Sequence, residues 1–273
     1  MEHQTTPIGV RLKWLGCACF EMEFGGLTVV NDPWITGNQA TELTWEAVEK
    51  CNYITLTHGH FDHTLDIPKL VEKFDADVLC GDGIAPTLLR WADLNPMQLY
   101  PMPADLELDF DDVKIKALYG RHVFLPGKAA ERAARARMSP YNEGNPDLIE
   151  MAFWGDLEFR NYLFTTNNGT KLLLWGNKLR PDQKNILRRE KPDVAIVQVT
   201  GANPPEEMAK LLQEIGCKIV IPYHFDFPKD YTHKIKEFGE ALANIAPEIQ
   251  YIIQLFLLLS YIQKSPCFTN LYC

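Results

Sequence analysis

The sequence predicts an α/β protein in which two sheets pack together with helices outside. Three observations carry that expectation. The chain has 273 residues, 46% of them hydrophobic, enough to bury a substantial core. Its first third reads as short alternating strands separated by turn residues. From about residue 159 onward, strands and helices alternate, which favours sheets covered by helices.

The elements follow in order. Val10–Leu15 and Cys19–Phe24 alternate in polarity, Gly25-Gly26 turns the chain, and Leu27–Val30 runs into Asn31-Asp32-Pro33. A helix is expected over Trp45–Lys50, then a strand over Tyr53–Leu56. Asp66 as N-cap and Pro68 in the first turn predict a helix over Ile67–Phe74. Strand Asp77–Cys80, a helix near Ala85–Trp91, and strands Leu106–Phe110 and Val113–Leu118 lead to Gly120-Arg121-His122. Lys128–Met138 is rich in Ala and Arg and has high helix propensity, whereas Pro140–Pro146 reads as loop. Phe159–Thr165 and Lys171–Trp175 form a hairpin around Asn167-Asn168-Gly169. Helix Asp182–Arg189, strand Val194–Val199, helix Pro205–Ile215, strand Lys218–Pro222 and helix His233–Ile245 complete the pattern.

Composition narrows the function. A net charge of −9 disfavours a general binder of nucleic acid or anionic membranes, which would carry a basic footprint. The first residues lack a basic stretch followed by an apolar one, so a reducing cytoplasm is the expected compartment. Seven Cys, an odd count without framework spacing, agree with that. Cys51, Cys80 and Cys217 read as small buried hydrophobes. Cys17-Ala18-Cys19 reads as an alternating strand pair with both thiols on one face, inert core or else metal-binding or redox-active. The apolar tail from 250 to 273 includes Tyr251–Gln263, shorter than the about 20 residues a bilayer span needs. A buried terminal element or a homo-oligomer contact are its two readings.

The densest chemistry lies at Thr57-His-Gly-His-Phe-Asp-His63, which places three of the chain's 7 His and one Asp within six positions. Imidazole and carboxylate are the ligands that borderline divalent cations prefer. One cluster cannot complete a coordination shell. His122 and His224 are the best remaining candidates, because each closely follows a strand that would hold it rigidly; His3 and His233 do not.

These residues resemble the metallo-β-lactamase fold superfamily, and more closely its branch containing L-ascorbate-6-phosphate lactonase and N-acyl-phosphatidylethanolamine-hydrolysing phospholipase D. The likeness runs through Trp14-Leu15-Gly16 with Phe20, Asn31-Asp32-Pro33-Trp34, Thr57–His63, His122, Trp175-Gly176-Asn177, and Pro222-Tyr223-His224-Phe225 with Phe227-Pro228. It implies a four-layer αββα sandwich, one domain over residues 1–273, and a lid at 120–146. It implies two metal positions for Zn or Mn: His58, His60 and His122 at the first, and Asp62, His63 and His224 at the second. Asp32 would be a supporting carboxylate. The implied activity is hydrolysis of an ester, lactone, amide or phosphodiester by activated water, with Asp62 and His60 in catalytic roles and Asp62 orienting the water or taking its proton.

Two positions depart from the pattern. Asn177 stands where an Asp bridging both metals is expected, which predicts a weakened second site and leaves a binding protein without turnover as an alternative. Cys17 stands where the branch has His, next to the ligands or lining the pocket. Arg121, Lys128, Arg132, Arg135 and Arg137 make the lid the most basic stretch of an acidic chain. It is either a solvated helix or, through Arg121, Arg132 and Arg135, a grip on a small anionic substrate.

Overall fold

The computed structural model describes residues 4–5, 10–122, 144–176, 178–199, 203–228 and 230–253, with Lys128, Ala129, Glu131, Arg132 and Arg135. Fourteen strands among them form two seven-stranded sheets, each ordered as in the chain. The first holds β1 (Gln4–Thr5), β2 (Arg11–Gly16), β3 (Cys19–Phe24), β4 (Leu27–Asn31), β5 (Tyr53–Thr55), β6 (Asp77–Cys80) and β7 (Leu99–Pro101). The second holds β8 (Glu107–Phe110), β9 (Val113–Gly120), β10 (Phe159–Thr166), β11 (Lys171–Trp175), β12 (Val194–Gln198), β13 (Ile219–Tyr223) and β14 (Gln250–Tyr251). Both sheets repeat one scheme: β1 to β4 and β8 to β11 pair antiparallel, and the strands that follow pair parallel. Parallel pairing requires crossovers, and helices provide them except between β4 and β5, where a loop with one 3₁₀ turn makes the connection.

The sheets meet face to face. Phe24 of β3 stacks on Phe164 of β10 at 5.3 Å between ring centroids, and Phe20 meets Tyr223 edge-on at 5.9 Å. The buried Tyr162 hydroxyl lies 3.0 and 3.1 Å from the Leu56 and Leu79 carbonyl oxygens. It satisfies its own polarity where an unpartnered hydroxyl would be costly. Helices α1 (Phe61–Thr64), α2 (Ile67–Phe74), α3 (Ala85–Trp91), α4 (Pro146–Leu157), α5 (Pro181–Glu190), α6 (Pro205–Glu214) and α7 (Thr232–Ile245) flank the sheets. The sandwich is therefore the αββα arrangement expected, and no helix among the described residues is long and apolar enough to cross a membrane.

Several local expectations are corrected. Over Trp45–Lys50 only a 3₁₀ turn forms, at Trp45–Ala47. The buried Glu21 carboxylate takes the Glu49 and Lys50 backbone N–H groups, so they cannot continue a helix. Asp66 precedes α2 but does not cap it; its Oδ2 accepts instead from Ile35 N (2.6 Å) and Thr36 N (2.8 Å), fixing the loop after β4. Cys17 and Cys19 do not alternate along one strand. Cys17 sits in the turn between β2 and β3 with φ 47°, and only Cys19 begins β3. Helix α4 falls in a stretch with no sequence assignment, and β7 was missed because it is short and ends in proline.

Candidate metal centre

The site forms where strands of both sheets end. The chain leaves β5 at Thr55 and turns through Thr57-His58-Gly59-His60 into the single turn of α1, which carries Asp62 and His63. His122 follows β9 by two residues and His224 immediately follows β13. His58, His60, Asp62, His63 and His224 are buried.

Asp32 organises the loop. It is fully buried at the end of β4 with φ 45°, a conformation Asp tolerates better than most residues. Its carboxylate accepts from Thr57 N (2.7 Å) and Thr57 Oγ1 (2.8 Å) and lies 2.9 Å from His63 Nδ1. Thr57 Oγ1 also lies 3.0 Å from His58 Nδ1. One carboxylate thus sets the orientation of two imidazoles, directly for His63 and through a hydroxyl for His58.

Two donor groups result. Donor atoms of His58, His60 and His122 lie within 4.8 Å of one another. The rings are packed at 4.3 Å (His58–His60), 4.7 Å (His58–His122) and 4.8 Å (His60–His122). Burial, then the neighbouring imidazoles, hold His58 and His122 well below the usual histidine range, so both stay neutral with a free lone pair. His58 Nε2 and His122 Nδ1 are buried with no hydrogen-bond partner. Orphaned ring nitrogens converging in this way are costly unless something electropositive sits between them. Three imidazoles suit a borderline divalent cation, so this first position fits the implied metal.

The second group contains Cys17, Asp62 and His224, also within 4.8 Å of one another. His63 joins it: His63 Nε2 lies 3.3 Å from His224 Nε2 and 3.6 Å from Asp62 Oδ2, and His224 Nε2 lies 3.4 Å from Asp62 Oδ2. Two donors bound at about 2.0–2.1 Å on one tetrahedral zinc stand about 3.3–3.4 Å apart, so these spacings fit a shared cation. The tautomers agree. His63 Nδ1 faces Asp32, and His224 Nδ1 lies 3.1 Å from the Phe227 carbonyl, an acceptor, so both Nε2 lone pairs turn inward. Burial alone would raise the Asp62 carboxyl, but His63 and His224 hold it well below the carboxylate range. Burial would lower His63, but Asp32 and then Asp62 raise it. The ring contact between His58 and His63, at 4.1 Å, joins the two groups.

One residue outside the sequence reading belongs here. Asp156, fully buried near the end of α4, lies 3.1 Å from His60 Nε2 and leaves His60 to face the first group through Nδ1. Helix α4 reaches this close because of two glycines: a Cβ on Gly59 would stand 2.3 Å from the Met151 carbonyl oxygen, and one on Gly155 2.9 Å from Gly59 N. Nothing in the local sequence marks Asp156; the contact spans 96 residues.

The structure treats the other candidates differently. Arg121 is partly buried beside His122. Arg132 and Arg135 are exposed on a helical segment, and Arg135 pairs with Glu131 one turn away at 3.0 Å, the solvated-helix arrangement. Asn177, Arg137, most of the 120–146 segment and the tail beyond 253 lie outside the described residues. Trp34, Phe61 and Phe227 form an edge-to-face cluster with centroids 4.8 to 5.6 Å apart beside α1.

The chain is similar to known proteins in sequence and in fold. Residues 11–224 match the model of the beta-lactamase superfamily domain. A UPF0173 metal-dependent hydrolase of Geobacillus sp. is 30% identical over 223 residues, covering 80% of this chain and 87% of its own. Among solved structures, Igni18, a metallo hydrolase from the archaeon Ignicoccus hospitalis, superposes with TM-score 0.63 at 17% identity, over 90% of this chain and 94% of that one. A metal-dependent hydrolase structure from Parabacteroides distasonis gives 0.60 at 18% identity, over 92% and 96%. By the family match and the Geobacillus relative, the chain belongs to the beta-lactamase superfamily domain family and, within it, to the UPF0173 metal-dependent hydrolases.

Proposed function

We propose that the protein is a divalent-metal-dependent hydrolase that uses activated water to cleave an ester- or lactone-type bond in a small anionic substrate. The observation that carries this reading is the pair of adjoining buried donor groups, three imidazoles on one side and Asp62, His63 and His224 on the other. His58, His60 and His122 would hold a cation at the first position; Asp62, His63 and His224 would hold one at the second. A bound Zn or Mn ion supplies Lewis acidity there, lowering the pKa of water and polarising a substrate oxygen.

The chain's own residues do the rest. Asp62 stays ionised and presents an acceptor at the junction of the two groups, which orients a water proton. In that place Asp62 orients the water or takes its proton. Asp32 and Asp156 keep His63 and His60 from rotating. Trp34, Phe61 and Phe227 shield one flank from solvent. The resemblance to the lactonase supports a lactone or ester, its likeness to the phospholipase D keeps a phosphodiester as the second reading, and Arg121, next to His122 in the chain, supports an anionic group on the substrate.

The test is turnover of generic lactone and phosphodiester substrates by metal-free protein supplemented with Zn²⁺ or Mn²⁺. Lactone hydrolysis that requires metal and vanishes in His60→Ala is expected. Metal-independent activity, or activity intact in His60→Ala, would overturn the reading. Asn177 favours one further outcome, metal bound at less than two ions per chain, rising in Asn177→Asp. Two tight ions in both proteins would refute that.

A further inference from the structure

We propose that Cys17 is a ligand of the second cation position, which makes it a sulfur-containing site of Cys17, Asp62, His63 and His224. The inference rests on the metal-dependent reading above and adds to it a donor that reading does not use.

Placement is the first argument. The Cys17 Sγ lies within 4.8 Å of donor atoms of both Asp62 and His224, and all three residues are buried. His63 Nε2 lies 3.3 and 3.6 Å from the same two partners. Cys17, Asp62 and His224 supply three mutually close donors, and His63, which meets the latter two, a fourth, the number a tetrahedral zinc takes.

The backbone is the second argument. Cys17 holds φ 47° and His224 φ 58°, left-handed conformations that are unfavourable for residues with a side chain. Such conformations persist where the surroundings over-determine them. Here the two strained residues are tied to each other: His224 N donates to the Cys17 carbonyl at 3.2 Å. The same carbonyl accepts from Trp14 Nε1 at 3.0 Å, and Cys17 N donates to Asp226 Oδ2 at 2.8 Å. Three hydrogen bonds, two of them from the His224–Asp226 loop some 200 residues away, hold the thiol at the donor group. Two of the other buried cysteines are handled differently. Cys51 directs its thiol to the Tyr53 carbonyl at 3.5 Å, and Cys217 to the Ile219 carbonyl at 3.3 Å, both within the core.

Chemistry supplies the third argument. A thiol binds a divalent cation as the thiolate. Coordination breaks the S–H bond as the S–metal bond forms, and one proton passes to solvent; nothing is oxidised or reduced. The resulting thiolate and the Asp62 carboxylate bring two negative charges to a divalent ion, whereas the first position offers three neutral imidazoles. The two positions therefore differ in charge and softness. Thiolate ligation favours Zn²⁺, Co²⁺ or Cd²⁺ over Mn²⁺ at the second position.

Cobalt titration of the metal-free full-length chain tests this. Visible d–d bands report Co²⁺ bound anywhere, and a near-ultraviolet charge-transfer band reports a thiolate on the metal. The expected result is a charge-transfer band that grows with one equivalent of cobalt, is lost in Cys17→Ser, and survives in Cys19→Ser. Cys17→Ser should also weaken that equivalent by more than about tenfold. X-ray absorption of the zinc-loaded wild type needs no variant: a zinc–sulfur distance of about 2.3 Å is expected. If d–d bands develop without charge transfer and zinc shows no sulfur, Cys17 is not a ligand while metal dependence stands. A charge-transfer band that persists in folded Cys17→Ser also overturns the assignment. Failure to bind cobalt or zinc at all overturns this inference and the proposed function together.

Discussion

Replacing Asp156 tests whether the site is built from outside its own loop. Asp156 is fully buried, and its Oδ1 lies 3.1 Å from His60 Nε2. Asp156→Ala removes the acceptor, leaving a buried ring N–H unpaired at a cost of about 1–3 kcal/mol. It also frees the His60 ring to turn. Loss of a carboxylate that orients a ligating imidazole typically lowers metal affinity about 10–100-fold, or about 1.4–2.7 kcal/mol. Asp156→Asn keeps an oxygen acceptor at nearly the same place but removes the charge, so its loss should fall between wild type and Asp156→Ala. Chelator competition with Zn²⁺ measures the affinity, and urea unfolding of the metal-free protein measures the structural share separately. If folded Asp156→Ala bound zinc within about twofold of wild type, the carboxylate would not be positioning His60, since even the low end of the expected range is tenfold.

Other expectations follow from particular contacts. Gly59→Ala sets a Cβ 2.3 Å from the Met151 carbonyl oxygen, a backbone atom of α4 that cannot swing aside. Overpacking of this kind costs about 1–3 kcal/mol, so Tm should fall by roughly 2–10 °C in a thermal melt; an unchanged Tm would mean α4 is not tightly seated there. Lys13 is buried beside Glu21, 3.5 Å away, and bonds to Glu49 Oε1 at 2.5 Å and the Ala47 carbonyl at 2.8 Å. Lys13→Ala strands a buried carboxylate and should destabilise by about 3–5 kcal/mol in urea, partly recovered by adding Glu21→Gln. No recovery would show that charge is not the issue. Burial would raise the Glu190 carboxyl, but hydrogen bonds from Lys116 and Arg189 pull it below its usual value. A depressed folded pKa stabilises above the unfolded pKa, about 4.3, and that contribution fades as pH falls through the lower folded value. The stability gap between wild type and Glu190→Gln should therefore be largest at neutral pH and close below about pH 4. A gap independent of pH would contradict this.

Much of the frame was legible because it rests on local signals. Ile67–Phe74, Asp77–Cys80 and Ala85–Trp91 fall where turn residues and periodicity place them, and the Asn167-Asn168-Gly169 hairpin forms in register between β10 and β11. What failed locally failed for non-local reasons. Glu21 takes the backbone donors that a helix at Trp45–Lys50 would need. The turn at Cys17 is held by Trp14, His224 and Asp226, so no window around residue 17 could show it. Helix α4 has apolar residues around much of its circumference, Leu148, Ile149, Met151 and Ala152 all being buried, and so lacks a clean stripe. With α4 unread, Asp156 could not be seen. The His58–His63 cluster was visible because its donors lie within six positions; Asp156, which supports His60, and Asp226, which holds Cys17, come from the other sheet's half of the chain.

That division has a consequence for how the protein can be taken apart. Strands β1–β7 pair only with one another, and so do β8–β14, so a break in the peptide near Ala104 would orphan no strand. Cys17, Asp32, His58, His60, Asp62 and His63 would travel with one piece, and His122, Asp156, His224 and Asp226 with the other. Neither piece alone can assemble either donor group. The chain is in effect two complementary fragments joined by a short tether, and cation capture would be the signal that they have found each other.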